Sequence, residues 1–195
     1  MIKKILIANR GEIAARIIRT CKRLGIKTVA VFSEADKDLP FVGLADEAHF
    51  LGASPVNESY MNMERIFEIA RKSNVDAIHP GYGFFSENAP FRKRCEVESI
   101  RFIGPTSEVI KIMGDKVNAR RAMAEAGVPI VPGTEEKITD VETAGLIAEQ
   151  IGYPIMLKAA AGGGGIALQV VRNRYDFEKV FKNNSERAKN LFGDG

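Results

Sequence analysis

Residues 1–14, Met-Ile-Lys-Lys-Ile-Leu-Ile-Ala-Asn-Arg-Gly-Glu-Ile-Ala, decide the fold of this chain. Residues 2–8 are predicted to form the first strand, because they end in the short apolar run Ile5-Leu-Ile-Ala, which is typical of a buried strand. The following segment, 11–24, has an apolar residue at every third or fourth position, which predicts a helix with one apolar face. These residues are Ile13, Ile17, Cys21 and Leu24. Gly25 is suited to end this helix, because glycine readily adopts a positive φ angle.

The same alternation of strand and helix continues to about residue 110 and predicts βαβ units around a parallel sheet. Further strands are predicted at residues 28–32, 46–51, 76–79 and 101–103, with a helix at 62–72. A helix of about two turns is predicted after the loop at 81–83, with Ser86 or Asn88 as its N-cap. Another helix is predicted to begin after the cap Thr106 and to end at Met113. We therefore expect an α/β protein in which residues 1–113 form a Rossmann-like domain.

The pattern changes at Gly114-Asp115, where Asp115 is the expected N-cap of a helix over residues 116–126. Residues 114–130 are interpreted as a linking helix and hinge, because prolines restrict the residues that precede them. Residues 131–195 then predict two helices, 140–151 and 175–190, and two strands, 155–158 and 167–172. We expect a small α+β subdomain whose sheet is incomplete at residue 195.

Composition excludes several classes of protein. The 195 residues are 45% hydrophobic and 27% charged, and no apolar run approaches the ~20 residues that span a bilayer. The net charge is +3 with scattered Lys and Arg, so we expect neither nucleic-acid nor membrane binding. The two cysteines lack metal-ligand spacing, and the N-terminus lacks a signal sequence, so a cytoplasmic protein is expected.

Four consecutive glycines, Gly162, Gly163, Gly164 and Gly165, separate the last two predicted strands. Successive glycine N–H groups can line one concavity and bind a phosphate. A Walker A loop requires Gly-Lys-Ser/Thr before a helix, whereas Ile166 and a strand-like run follow here. Two interpretations remain open, a flap over a nucleotide and a hairpin tip without a ligand.

Two lysines favour the nucleotide interpretation. Lys158 ends an apolar strand four residues before the first of these glycines, so its ammonium could reach a bound phosphate. The alternative is a strand-end lysine that extends into water. Lys116 begins a helix, where a cation opposes the helix dipole unless an anion compensates it. Asp115 could supply that compensation by itself.

A second candidate region follows the predicted strand at residues 76–79, because ligands gather at the carboxyl ends of strands in open α/β sheets. His79 is interpreted as a structural histidine rather than an acid or base, since no second histidine or cysteine lies nearby. Tyr82 and Glu87 are expected to face a cleft. The turn at residues 9–13 could be structural, with Arg10 pairing with a carboxylate.

Together these segments resemble biotin carboxylases of the ATP-grasp superfamily along the whole chain. The similarity to carbamoyl-phosphate synthases and amino-acid ligases does not extend to the segments at 5–14 and 76–84. The matching motifs are Ile5-Leu-Ile-Ala-Asn-Arg-Gly-Glu-Ile-Ala14, Leu44-Ala-Asp-Glu-Ala48, Ser59-Tyr60, Asp76-Ala-Ile-His-Pro-Gly-Tyr-Gly-Phe84, Ser86-Glu-Asn-Ala89, Phe102-Ile-Gly-Pro105, Met113-Gly-Asp-Lys116, Ala126-Gly-Val-Pro129, Gly152-Tyr-Pro154, Lys158-Ala159 and Phe192-Gly-Asp-Gly195.

The resemblance implies a pre-ATP-grasp domain followed by part of an ATP-grasp lid, and an enzyme that uses MgATP to activate bicarbonate and carboxylate carrier-bound biotin. It implies that Lys116, Lys158 and the glycines at 162–165 bind ATP. It also implies that Tyr82 and Gly83 lie near the biotin pocket and that Arg19 lies at a homodimer interface. The catalytic residues and Mg²⁺ ligands would lie beyond residue 195.

The implied partners are a biotin carboxyl carrier protein or domain and a carboxyltransferase. The acyl acceptor, whether acetyl-CoA, propionyl-CoA or pyruvate, stays open. Ile166-Ala167 stands where many biotin carboxylases carry Lys or Arg followed by Gly, which puts the affinity of the glycine segment for ATP in doubt. Alone, the chain is expected to be inactive, and the alternative is a nucleotide-binding or dimerising fragment. A nicotinamide-dependent oxidoreductase is disfavoured, because residues 8–14 lack the GxGxxG spacing.

Overall fold

The computed structural model describes residues 1–134, 136–159 and 168–192. The chain separates into two compact units, Met1–Lys111 and Ile112–Gly195. The finer limits at residues 113 and 130 remain predictions. None of the described helices combines the length and the apolar character needed to cross a bilayer.

The first unit contains a five-stranded parallel sheet in the order β3-β2-β1-β4-β5, which confirms the predicted α/β class. The central strand β1 is paired on both sides, so that Ile5 is opposite Thr28 of β2 and opposite Ala77 of β4. The strands are β1 (Lys4–Ile7), β2 (Lys27–Ser33), β3 (Glu47–Gly52), β4 (Ala77–His79) and β5 (Arg101–Phe102).

Helices cover both faces of this sheet. One core contains Ile5 and Ile7 of β1 together with α1 and Phe41 of α2, and the other contains Leu6 together with α3 and α4. Neighbouring residues of β1 therefore face opposite cores, as the strand period of two requires. The helices are α1 (Gly11–Arg23), α2 (Pro40–Leu44), α3 (Met63–Lys72), α4 (Ala89–Val97) and α5 (Ser107–Gly114).

The sequence did not predict three short elements of the first unit. Helix α2 and the 3₁₀ turns Glu34–Asp36 and Val56–Glu58 were not predicted. These elements have three to five residues, which is too few for an apolar repeat at helical spacing to become visible.

The second unit has a two-stranded antiparallel sheet and a small core formed by Ala144, Ala148, Val171 and Phe177. Strand β6 has the predicted bounds, whereas the last helix begins one residue earlier and ends two residues later than predicted. Its elements are α6 (Lys116–Glu125), α7 (Val141–Ile151), β6 (Ile155–Lys158), β7 (Leu168–Val171) and α8 (Arg174–Phe192).

Side-chain caps define the starts of several helices. The predicted cap Asp115 accepts hydrogen bonds from backbone N–H groups in the first turn of α6, and Asp140 does the same for α7. Asn62 caps α3, and Asn88 caps α4 by accepting from the N–H of Phe91 at 2.8 Å. Of the two caps considered for α4, Asn88 is therefore the one used. Such caps satisfy donors that the first helical turn leaves without a partner.

Asp46, which precedes β3, links the start of that strand to β2. Its carboxylate accepts hydrogen bonds from the backbone N–H and the hydroxyl of Thr28, both at 2.9 Å, and from the Lys27 ammonium at 2.8 Å. The pKa of Asp46 is lowered to about 2, mainly by the hydrogen bond from Lys27, with a contribution from the bonds from Thr28. The ionised carboxylate therefore stabilises the folded state.

We predict that Asp46→Asn lowers the free energy of unfolding by about 1–2 kcal/mol at pH 7, because the charge-assisted hydrogen bonds are lost. The folded-state pKa lies below the unfolded value of about 3.9, so this stabilisation is complete above that value and disappears as the pH falls towards 2. Urea unfolding at pH 7, 4 and 2.5 should show that the free energies of unfolding of the wild type and of Asp46→Asn converge as the pH falls. Asp38→Asn, at an exposed carboxylate, is the control, and an equal loss in both variants would contradict the prediction.

Candidate functional site

The winding of the sheet reverses between β1 and β4, and we call the position between these two strand ends the crevice. The connection after β1 leads to α1 on one face, and the connection after β4 leads to α4 on the opposite face. Ligands of open α/β sheets bind where neighbouring strand ends diverge in this way. Residues 8–10 and 80–88 meet at this position.

Asn9 occupies the base of this crevice and is 3% exposed. Its side-chain Nδ2 donates hydrogen bonds to the carbonyl oxygens of Pro80 at 2.7 Å and of Tyr82 at 2.9 Å. Its Oδ1 accepts a hydrogen bond from the N–H of Arg10 at 2.9 Å. One amide group therefore connects the end of β1 to the loop that follows β4.

Gly81 packs directly against this amide. A Cβ atom at residue 81 would lie 2.6 Å from Asn9 Nδ2, and the φ angle of Gly81 is +68°. Both the short approach and the left-handed backbone favour glycine here. Nothing lies within 4 Å of the corresponding position at Gly83, so the loop is packed at residue 81 and open at residue 83.

Tyr82 extends from this loop with 60% of its surface exposed. Its hydroxyl donates a hydrogen bond to the carboxylate of Glu12, in the first turn of α1, at 2.8 Å. This hydrogen bond is the largest cause that raises the pKa of Tyr82 above its usual value. The tyrosine is thus accessible and oriented, and that it faces a cleft stays a prediction. Glu87, the other residue expected to face a cleft, is exposed.

Two aromatic rings hold the following part of the loop in the core. Phe84 stacks on Tyr60 at a centroid distance of 5.3 Å, and Phe85 stacks on Phe91 at 4.2 Å. Phe85 is 2% exposed, so its ring is accommodated by the packing of neighbouring aromatic residues. Residues 84 and 85 therefore form a fixed end for the loop at 80–83.

His79 supports the backbone of the same loop. Its Nδ1 accepts a hydrogen bond from the N–H of Gly81 at 3.0 Å. Burial lowers the pKa of His79, which favours the neutral ring that this acceptor role requires. The contacts favour the structural interpretation over an acid or base.

Arg10 pairs with a carboxylate, as considered from the sequence. Its Nε and Nη2 both donate to the carboxylate of Asp36, which also accepts from the Tyr60 hydroxyl at 2.7 Å. Asp36 is 3% exposed, and the Arg10 guanidinium is the main cause that lowers its pKa. Burial and this carboxylate raise the pKa of Tyr60 to about 12. The group is an ion pair between a partly exposed guanidinium and a buried carboxylate, and it fixes the turn after β1.

In the second unit, one candidate phosphate-binding lysine reaches the end of the strand that carries the other. Lys116 Nζ, at the start of α6, donates a hydrogen bond to the backbone carbonyl of Ala159 at 2.8 Å. Ala159 directly follows Lys158, which is exposed at the end of β6. Two cations thus lie at one end of the small sheet. The glycines at 162–165 and residues Ile166-Ala167 lie outside the described residues.

Arg19, the candidate interface residue, lies on the exposed side of α1. In the described part of the chain, no group of three or more His, Cys, Asp or Glu side chains is arranged to hold a metal ion.

Sequence reasoning missed two residues of the crevice. It identified the turn at 9–13 but gave no role to Asn9, and it did not connect Glu12 with Tyr82. The available signal was an asparagine at the carboxyl end of the central strand, where a polar side chain faces the crevice. The partner of each residue lies about 70 positions away in sequence, so only the strand order could identify it.

Comparison with known proteins agrees with both units. The model of the biotin carboxylase N-terminal domain matches residues 1–110, and the model of the carbamoyl-phosphate synthase L chain ATP-binding domain matches residues 115–195. Biotin carboxylase 2 of Bacillus subtilis is 58% identical over all 195 residues. The chain covers 44% of that relative, so it spans less than half of the length of such proteins.

Two crystal structures are similar over the whole chain. Biotin carboxylase of Campylobacter jejuni, in its β-γ-ATP complex, is 46% identical with a TM-score of 0.94, and the chain covers 44% of it. The biotin carboxylase domain dimer of Hydrogenobacter thermophilus 2-oxoglutarate carboxylase, bound to MgADP, ADP and bicarbonate, is 47% identical with a TM-score of 0.92 and 43% coverage. The pre-ATP-grasp and ATP-grasp fold expected from the resemblance is thus confirmed.

We predict that Glu12→Gln lowers the pKa of Tyr82 towards the ordinary tyrosine value of about 10, because the carboxylate that stabilises the protonated hydroxyl is removed. An alkaline NMR titration of tyrosine-labelled protein, with Tyr82→Phe to assign the signal, measures the change. Glu34→Gln, at an exposed carboxylate elsewhere in the unit, is the control. A Tyr82 titration curve that stays in place in Glu12→Gln would show that the hydrogen bond does not form in solution.

Proposed function

This chain belongs to the biotin carboxylase family, and on that premise we propose that it is the N-terminal part of an enzyme that carboxylates biotin with bicarbonate and MgATP. The reaction would proceed through carboxyphosphate, as the resemblance implies. The supporting relatives include a domain bound to MgADP, ADP and bicarbonate. The acyl acceptor of the parent enzyme is left open.

The observation that carries the proposal is the contact of Lys116 Nζ with the carbonyl of Ala159, at 2.8 Å. It places one ammonium group beside the residue that follows Lys158, a second and exposed cation. Two cations at the end of one sheet can neutralise the charge that is spread over the phosphates of ATP. We assign Lys116 and Lys158 to the phosphates, and the glycines at 162–165 to the same nucleotide by resemblance.

We assign the crevice of the first unit to biotin. Tyr82 is exposed and oriented by Glu12, and Gly83 beside it has open space in place of a side chain. A bicyclic ureido ring could approach the backbone at this position because glycine adds no bulk. Carboxyphosphate hydrolyses readily, so water has to be excluded from the site until biotin reacts with it. An ordered loop at this position would help to exclude water.

The partners follow from the same proposal. The biotin would be attached to a carrier protein or domain, and the carboxylated carrier would then serve a carboxyltransferase. Arg19 would lie at the interface of a homodimer. The Hydrogenobacter biotin carboxylase domain is itself a dimer. We place the enzyme in the cytoplasm, and its two cysteines are free thiols buried in the first unit.

We predict that Lys158→Ala, in the full-length enzyme that contains this chain, lowers kcat/KM for ATP by at least about tenfold while the fold stays intact. The lost contact is a charge-assisted hydrogen bond worth about 1.5–3 kcal/mol. Lys158→Arg should recover only part of the loss, because a planar guanidinium does not reproduce an ammonium. Steady-state kinetics with varied ATP, supported by thermal unfolding, provide the test.

The matched control is Lys179→Ala, which removes another exposed lysine from the same unit, on α8. It should leave the kinetics for ATP unchanged. Unchanged kinetics in Lys158→Ala as well would leave Lys158 as a lysine that extends into water.

We also predict that residues 1–195 alone show no bicarbonate-dependent ATP hydrolysis and no carboxylation of biotin, even at high Mg²⁺. Phosphoryl transfer requires metal ions held by carboxylates, and the resemblance assigns those carboxylates to sequence after residue 195. Weak ATP binding could persist through Lys116 and Lys158. Phosphate release is measured with and without bicarbonate, and bicarbonate-stimulated turnover that disappears in Lys158→Ala would mean that these residues contain a complete site.

A further inference from the structure

The loop at residues 80–83 has few means of holding its own position. Gly81 and Gly83 flank Tyr82 and have no side chains, and both adopt positive φ angles, +68° and +67°. The Tyr82 hydroxyl contacts Glu12 through an exposed hydrogen bond, and solvent competes with such bonds. Local hydrogen bonds hold the Gly81 N–H on His79 and the Gly83 carbonyl on the Ser86 N–H. The carbonyls of Pro80 and Tyr82 need a donor from another part of the fold.

Asn9 supplies that anchor from the central strand. Its buried Nδ2 donates to the carbonyls of both Pro80 and Tyr82, so it fixes the backbone on either side of Gly81. Its Oδ1 is held by the N–H of Arg10, which determines that the amino group faces the loop. The neighbouring Arg10–Asp36 ion pair, with Asp36 buried, keeps this turn in place.

We propose that Asn9 is a positioning residue for the biotin site: its amide holds the backbone at Tyr82 and Gly83 in the conformation that receives the biotin ring. This inference rests on the proposed function of the crevice. It can be tested separately from that function, because substitution of Asn9 should change KM for biotin and leave KM for ATP unchanged. The lysines assigned to ATP belong to the other unit.

The decisive variant is Asn9→Asp, which keeps the shape of the side chain and replaces the donor Nδ2 with an oxygen. That oxygen would face two carbonyl oxygens and repel both. In the full-length enzyme we expect KM for free biotin to rise by about tenfold or more. We expect KM for ATP, and bicarbonate-dependent ATP hydrolysis without biotin, to stay within about twofold of the wild type.

A second variant perturbs the same contact from the other side. Gly81→Ala would place a Cβ atom 2.6 Å from Asn9 Nδ2, so it should raise KM for biotin in the same way. If Asn9→Asp fails to unfold cooperatively, Gly81→Ala decides the question.

Each variant has a matched control. Asn62→Asp introduces the same change at an N-cap where the side chain only accepts, from the N–H of Arg65 at 3.0 Å, and aspartate caps a helix as well as asparagine does. Gly25→Ala introduces the same strain at φ +67° with nothing within 4 Å. Both controls should retain the wild-type KM for biotin.

The outcomes separate the inference from the proposed function. Two results with a wild-type enzyme that carboxylates biotin would overturn the inference and leave Asn9 with only a structural role. In the first, KM for biotin in Asn9→Asp and Gly81→Ala equals that of their controls. In the second, KM for ATP rises as much as KM for biotin. A wild-type enzyme without biotin-dependent turnover would overturn the proposed function, and the inference with it. A rise confined to biotin in Asn9→Asp and Gly81→Ala supports the inference.

Discussion

The pairing of β1 on both of its edges is the constraint on which the first unit depends. Parallel neighbours at β2 and β4 require every connection to cross a face of the sheet, so helices must cover both faces. Leu6 then faces one core while Ile5 and Ile7 face the other. The first strand is consequently apolar at successive positions, and the direction of winding has to reverse between β1 and β4.

That reversal creates a crevice whose walls are made of loop backbone, and buried backbone carbonyls need donors. Asn9 meets this need from one strand end, and the close approach of Gly81 allows its amide to reach two carbonyls. The result is a loop that is rigid at residues 81 and 84–85 and open at residues 82–83. Functional residues commonly lie on loops that a rigid scaffold holds in position.

Charged and polar groups in the chain divide into two roles. Asp36 and Asp46 are paired with cations, and their lowered pKa values show that their ionised forms are held by the fold. Lys158 and Tyr82, in contrast, project from the ends of strands and loops where a ligand can reach them. The distinction depends on burial and partners and not on residue type, which is why Arg10 at a strand end proved structural.

The sequence by itself determined the fold class, the bounds of most elements to within about two residues, and the family. Strand and helix periods, caps such as Asp115 and the ordered motifs are local properties of the chain. The sequence also indicated the two strand-end regions, at residues 9–13 and after residue 79. The pairing of Arg10 with a carboxylate was one of the two interpretations it allowed. The short helix Pro40–Leu44 was missed because five residues show no periodicity. Tertiary structure alone decided that Asn9 holds residues 80 and 82, that Glu12 orients Tyr82, and that Lys116 reaches Ala159. These contacts join residues 43 to 73 positions apart, and only the order of strands and the direction of winding bring such residues within hydrogen-bonding distance.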